Sequence, residues 1–214
     1  MEKRRHILLK SSYTGDNDVV EIGLDEAGRG ALAGPVTVAA CIMPFNFEHP
    51  LVKDSKLLNE KQRQDARQVV LDNALAYSIV HIYPDQIEST NILRATLQGM
   101  QECLNNVKHG ESSYSFDFIL VDGDQFHGFE GMPFETIIGG DNKYVSIAAA
   151  SILAKTERDA MMKELDIKTP GYGWNSNKGY GTKQHIDAIK EIGPNDIHRP
   201  SFISHLLTES GTLF

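Results

Sequence analysis

Two acids stand side by side in Gly23-Leu24-Asp25-Glu26-Ala27-Gly28-Arg29-Gly30-Ala31-Leu32-Ala33-Gly34-Pro35, directly ahead of a Gly-Arg-Gly turn. Adjacent residues of a strand point to opposite faces, so Asp25 and Glu26 reach one site only at a strand end, where twist or a bend redirects one of them. The glycines beyond let the backbone approach a ligand closely and offer N–H donors. The bland meaning of a bare Asp-Glu pair is two solvated acids beside a tight turn. Asp122 closes the apolar run Phe118-Ile119-Leu120-Val121, and ligands of open α/β sheets gather at such strand ends. Asp141 stands just before a small-residue helical stretch, where an acid also favours the helix N-terminus electrostatically.

The elements that must position these acids are legible from periodicity and punctuation. Residues 19–24 and 36–43 are aliphatic and β-branched runs separated by glycine-rich sequence, which predicts paired strands. Polar, helix-favouring sequence over 59–76, with Asn59 as a cap, leads to a third strand at 77–83. Between residues 84 and 107 the spacing of Ile87, Ile92, Leu93, Leu97, Met100 and Leu104 marks one helical face that Thr90 or Asn91 can start. A buried strand at 118–121 ends at Asp122-Gly123, and a short strand is expected at 134–138. Residues 145–165 predict an alanine-rich helix with one end in the core, and 182–192 an amphipathic helix closed by Gly193-Pro194. Strands first, then strands alternating with helices, indicate a mixed α/β sheet flanked by helices. The glycine-rich break at 171–181 separates a main domain over 1–170 from a small C-terminal helical region over 171–214, packed on it as a single functional unit.

A chain of 214 residues with 41% hydrophobic residues can fill one core. The apolar run at 145–153 is broken by Ser146 and Ser151 and is too short to span a bilayer, and residues 1–10 lack the apolar core of a secretory signal. A cytoplasmic monomer without membrane contact is the expectation. Cys41 and Cys103 belong to no CxxC pattern and read as small buried apolar residues. A net charge of -8 argues against a protein that coats nucleic acid non-specifically, although basic residues cluster at 53–63, 143–158 and 178–185.

Taken together and in order, GLDEAGRGALAGPV, the strand-terminal VDG, GGDNKYVSIAAASILAK and KGYGT closely resemble bacterial ribonuclease HII, the type 2 family of the ribonuclease H superfamily. The resemblance runs from about residue 22 to 202 and includes DSK at 54–56 and the GPNDIHRPSF ending. It implies a ribonuclease H-like fold and makes Asp25, Glu26, Asp122 and Asp141 the catalytic, metal-binding carboxylates. Asp124, Glu157 and Asp159 compete for the fourth place; Asp159 follows Lys155 at helical spacing and reads more simply as a surface pair. Oxygen ligands without His or Cys suit Mg2+ or Mn2+ rather than zinc, and acids that position metal are expected to be ionised at working pH.

The resemblance further implies hydrolysis of RNA in RNA–DNA hybrids and incision 5′ of single ribonucleotides embedded in duplex DNA. A two-metal mechanism would leave a 5′-phosphate and a 3′-hydroxyl. Those nucleic acids are the expected partners; no protein partner is implied. The Gly28-Arg29-Gly30 turn and Tyr180 would read the 2′-hydroxyl and the junction, the feature that separates RNA from DNA, while Lys56 and Lys155 would contact phosphates. The loop here reads Gly-Tyr-Gly-Thr where relatives also carry Gly-Tyr-Pro-Thr, which leaves its geometry open. His198 and Arg199 receive no chemical step, Trp174 reads as packing, and Ser151 with Lys155 is one residue too long for a serine-lysine nucleophile motif. Two other readings are a hybrid-binding module with structural acids and a metal-dependent phosphatase of small phosphomonoesters.

Overall fold

The computed structural model describes residues 9–208. Most of the amino-terminal stretch read for a signal, and the end of the C-terminal region from residue 209, lie outside the described residues.

Side-chain alternation builds the sheet. In β1 (Glu21–Ala27) Ile22 and Leu24 enter one core cluster while Ala27 enters another on the opposite face. The strand order is β3 (Ala76–Ile82), β2 (Val36–Ile42), β1, β4 (Phe118–Asp122), β5 (Phe134–Ile137). β2 pairs antiparallel with both β1 and β3, whereas β4 is parallel to both β1 and β5, so the sheet is mixed as expected. The first strand begins later than its apolar run and continues through both acids, because its ladder to β2 persists over Asp25↔Ala39 and Glu26↔Val38.

One face carries α2 (Pro84–Ser89) and α3 (Ile92–His109); α1 (Glu60–Asn73) and α4 (Val145–Lys168) cover the other. The helical face read across 84–107 is two helices: Thr90 breaks the chain, and Asn91 caps α3 by accepting from the Arg94 N–H at 2.9 Å. Asn59 caps α1 in a reciprocal box with Gln62, which satisfies two otherwise orphaned donors. α4 lies against β1 with no side chain between them, since a Cβ on Gly23 would stand 2.3 Å from the Ser146 carbonyl carbon. This contact brings the N-terminal end of α4 to the strand end that holds the acids. Cys41 and Cys103 are buried in the two main clusters, and burial pushes both thiols up, Cys103 to about 12. No described helix is long and apolar enough to cross a membrane.

A third cluster joins the C-terminal region to α4 through Met162, Trp174, Ile189 and Ile203, drawing on α5 (Trp174–Asn177), α6 (Lys183–Ile192) and α7 (Pro200–Thr208). Trp174 is fully buried, stacks on Tyr172 with ring centroids 4.9 Å apart, and donates its indole N–H to His185 at 2.9 Å. His198 lies beside them, 2% exposed, and burial together with the neighbouring His185 depresses its pKa to about 4. An unfolded histidine titrates near about 6.5, so below that pH the unfolded chain binds a proton that the fold refuses. The stability this group contributes is complete above about 6.5 and is lost as pH falls toward its folded value, roughly 3 kcal/mol in all. Urea midpoints measured from pH 7 to 4 are expected to fall more steeply for the wild type than for His198→Gln; parallel curves would remove His198 as the cause.

Candidate active site

The parallel ladder between β1 and β4 ends at Leu24↔Val121, while the ladder from β1 to β2 continues to Ala27↔Thr37. One edge of β1 is therefore open from Asp25 onward, and Asp122, the last residue of β4, is next in register beside it. Leu120 packs under α4 with Ile147, so Asp122, two residues later, turns to the α4 face that Asp25 shares. Asp141 arrives from the loop before α4. There Gly139 takes a left-handed conformation at φ 65°, and a single 3-10 turn over Gly140–Asn142 points the acid inward.

These three carboxylates offer oxygens that lie within 4.8 Å of one another. Asp25 and Asp141 are buried and Asp122 is half-buried. Each is held by its surroundings. Asp25 accepts from the Glu26 N–H at 2.7 Å and from the Ser151 hydroxyl, Asp122 accepts from the Gly140 N–H at 2.7 Å, and Asp141 accepts from the Asn142 amide at 3.1 Å. Glu26 alternates to the opposite face and stands outside the trio, yet it lines the same open cleft, about 380 Å³ in volume. The Arg29 guanidinium holds it there at 3.3 Å.

Burial pushes the Asp25 carboxyl well above the usual carboxylate range, with repulsion from Glu26 and Asp122 adding to it. Burial also raises Glu26 and Asp122. These shifts share one cause: buried like charges that lack a compensating cation. Lys56 supplies part of that charge, donating to Asp141 at 3.2 Å, but its side chain is 75% exposed. Converging hard oxygens with uncompensated negative charge are a donor set that fits a divalent cation such as Mg2+ or Mn2+.

All six residues named for substrate contact, Gly28, Arg29, Gly30, Lys56, Lys155 and Tyr180, line this cleft. Lys155 is bound to Asp159 at 2.7 Å and sits 5.7 Å from the Tyr180 ring centroid. The surface pair expected of Lys155 and Asp159 is instead largely buried, Asp159 being 7% exposed, because α4 turns this face toward α1 and the loop after α5. Of the other competitors for the fourth place, Glu157 pairs with Arg67 at 2.6 Å and Asp124 is exposed.

Sequence reasoning missed two residues that shape the cleft. Arg158 and Arg199, fully buried, give their guanidinium hydrogens to backbone carbonyls rather than to acids. Arg158 donates to Pro35, Lys178 and Ala33 at 2.9, 2.8 and 3.1 Å, and Arg199 donates to Gly34 and to Arg29 at 2.9 Å. Arg158, the last residue of the basic cluster at 143–158, belongs to the interior rather than to a basic surface, and the loop from Arg29 to Pro35 folds around it. Ser151 also acquires a place, at the foot of Asp25 and 3.2 Å from Ser55, that its failed nucleophile motif did not suggest.

Gly28 is dictated by this arrangement. Its φ is +93°, and a Cβ there would fall 2.0 Å from the Arg158 Nε. Gly28→Ala is expected to destabilise the fold by about 2 kcal/mol or more, through left-handed strain and a displaced guanidinium. An unchanged urea midpoint would contradict the contact.

The sequence profile of the ribonuclease HII family matches residues 22–205. This chain belongs to the ribonuclease HII family. It is 46% identical over 180 residues to the ribonuclease HII of Christiangramia forsetii, covering 84% of this chain and 88% of that protein. With the ribonuclease HII of Salinibacter ruber it shares 49% identity over 183 residues, covering 84% and 89%. The fold is similar to that of ribonuclease H2 from Pyrococcus horikoshii OT3, with a TM-score of 0.75 at 22% identity over 91% of this chain and all of that one. It also resembles Bst-RNase HIII, solved in complex with Mn2+, with a TM-score of 0.69 at 17% identity over 91% and 71% of the two chains. Membership of the ribonuclease HII family makes the chain a nuclease of ribonuclease H-like fold.

Proposed function

We propose that this chain is a metal-dependent endoribonuclease that hydrolyses RNA in RNA–DNA hybrids and incises 5′ of single ribonucleotides embedded in duplex DNA. The observation that carries the reading is three converging carboxylates, two of which, Asp25 and Asp122, line one cleft with a glycine-rich turn, two lysines and a tyrosine. Asp25, Asp122 and Asp141, with Glu26 completing the set, hold Mg2+ or Mn2+. The structurally similar Bst-RNase HIII was solved in complex with Mn2+, which supports a divalent ion at this site. Bound divalent cations supply Lewis-acid stabilisation of charge developing on phosphate and lower the pKa of water.

The remaining steps belong to the chain's own groups. Lys56 and Lys155 fix the register of the backbone through phosphate contacts. The N–H groups of Gly28 to Gly30, the Arg29 side chain and the Tyr180 ring meet the ribose, where the 2′-hydroxyl is the feature that distinguishes RNA. Hydrolysis leaves a 5′-phosphate and a 3′-hydroxyl. Because Tyr180 comes from the region after residue 170, residues 1–170 and 171–214 act as one unit. The unit is a monomer, and its two buried, unpaired cysteines accord with a reducing cytoplasm.

The test is cleavage of three end-labelled substrates: a DNA duplex with one ribonucleotide, an RNA–DNA hybrid and an all-DNA duplex, each with Mg2+, Mn2+ or chelator. Metal-dependent cutting of the first two, with a single product 5′ of the lone ribonucleotide, is the expected result. Cutting of the hybrid alone would remove the incision activity. Binding without cutting would favour a hybrid-binding module.

A further inference from the structure

Behind the cleft, in the core of the C-terminal region, lies a buried imidazole whose protonation is set by partners of unambiguous chemistry. His185 is fully buried and its Nε2 stands 2.9 Å from the Trp174 indole nitrogen, which can only donate. Its Nδ1 stands 3.0 Å from the Tyr180 carbonyl oxygen, which can only accept. His185 is therefore neutral, with its proton on Nδ1, and burial lowers its pKa in the direction that keeps it so. His198 closes off this side of the ring, its Nε2 3.1 Å from the same Nε2 and its Nδ1 3.1 Å from the Asn195 backbone nitrogen and 3.0 Å from the Asn195 side-chain oxygen.

The outcome of this chain of donors is one N–H aimed at the backbone of Tyr180. The same carbonyl accepts from Thr182 N at 2.8 Å, and the preceding peptide is pinned from the other side, Leu32 N donating to the Gly179 oxygen at 2.8 Å. The phenol ring then projects toward the cleft with the Arg158 guanidinium 5.2 Å from its centroid.

We infer that His185 is a positioning residue for ribonucleotide recognition: its Nδ1–H holds the Tyr180 carbonyl, and so the Tyr180 ring, in place without itself touching substrate. This rests on the reading above that Tyr180 meets the ribose. A loop residue whose carbonyl is held by a single short turn can rock about that turn, whereas a second donor from a ring walled in by Trp174, Tyr172 and His198 removes that freedom. Discrimination by a flat aromatic side chain depends on such orientation.

The two ring nitrogens of His185 can be removed separately. Asparagine places an amide donor near the position of Nδ1, and glutamine places a carbonyl acceptor near the position of Nε2. Trp174 is the single tryptophan of the chain, so its emission reports the Nε2 side on its own. His185→Asn, His185→Gln and Tyr180→Ala would be compared for kcat/KM on the single-ribonucleotide duplex relative to the hybrid, for Mn2+ affinity by calorimetry, and for Trp174 emission.

The expected result is a crossover. His185→Gln lowers the single-ribonucleotide to hybrid ratio by about tenfold, the effect of one lost orienting hydrogen bond, with near-native Trp174 emission. His185→Asn keeps the ratio within about twofold while shifting the emission. Mn2+ affinity stays unchanged in both. If the ratio follows the emission, or the two variants behave alike, the ring acts only as core packing and the inference is overturned while Tyr180→Ala still lowers the ratio. If Tyr180→Ala leaves the ratio unchanged, the tyrosine reading itself falls, and the role of His185 falls with it.

Discussion

Asp122→Asn is expected to reduce turnover on hybrid and on single-ribonucleotide duplex by roughly 10³-fold or more, while the protein stays folded and still binds duplex. Asparagine keeps the oxygen that accepts the Gly140 N–H at 2.7 Å, so the join between the end of β4 and the turn before α4 survives. What disappears is one of three converging charges. Asp122 adds repulsion to the buried Asp25, so removing it also relieves the apo site, and the melting temperature should hold or rise slightly. Mn2+ affinity should fall at least about tenfold, since a neutral amide is a poorer hard-cation ligand than a carboxylate. Duplex affinity in chelator should hold, because Lys56, Lys155 and Arg29 remain. Calorimetric Mn2+ titration beside steady-state cleavage checks both halves. Turnover within about threefold of wild type would overturn the metal assignment at this position.

Arg158→Leu tests the scaffold rather than the chemistry. The guanidinium is fully buried and satisfies the carbonyls of Ala33, Pro35 and Lys178. Burial alone drags its pKa down, so the native arrangement already bears a desolvation cost that the three acceptors offset. Leucine fills part of the volume and leaves those oxygens without donors, at about 1–3 kcal/mol for each buried acceptor that water does not reach. A net loss of at least about 3 kcal/mol is expected, a drop in melting temperature of roughly 6–12 °C for a chain of this size. Arg158→Lys should recover little of it, because one ammonium cannot reach three carbonyls set around a planar fork. Thermal unfolding of both variants decides the matter; a lysine variant as stable as wild type would show that charge alone suffices there.

Much of the fold could be read locally. Asn59 and Asn91 cap helices because an amide side chain three residues ahead of an N–H satisfies it wherever the chain lies, and these caps stand as expected. The apolar run into Asp122 became β4, and small residues from Val145 onward became the buried end of α4. The break at Thr90 was not resolved from a continuous helix, since a single apolar stripe runs through both α2 and α3 and periodicity does not register the turn between them.

For the site, residue types, order and resemblance named the four acids, and three of them converge in space. That Glu26 stands apart follows from strand alternation, but only the early end of the β1–β4 ladder explains how it reaches the same cleft. Which basic residues face solvent was decided by tertiary structure alone. Arg158 takes its partners from carbonyls 123 and 125 residues earlier in the chain, and Arg199 from one 165 residues earlier. The tautomer of His185 likewise depends on Trp174 and Tyr180 meeting it inside a core. Caps, alternation and motif order are written within a few residues of themselves. Burial of a charge, and the direction of one N–H, are set by groups that become neighbours only when the chain closes.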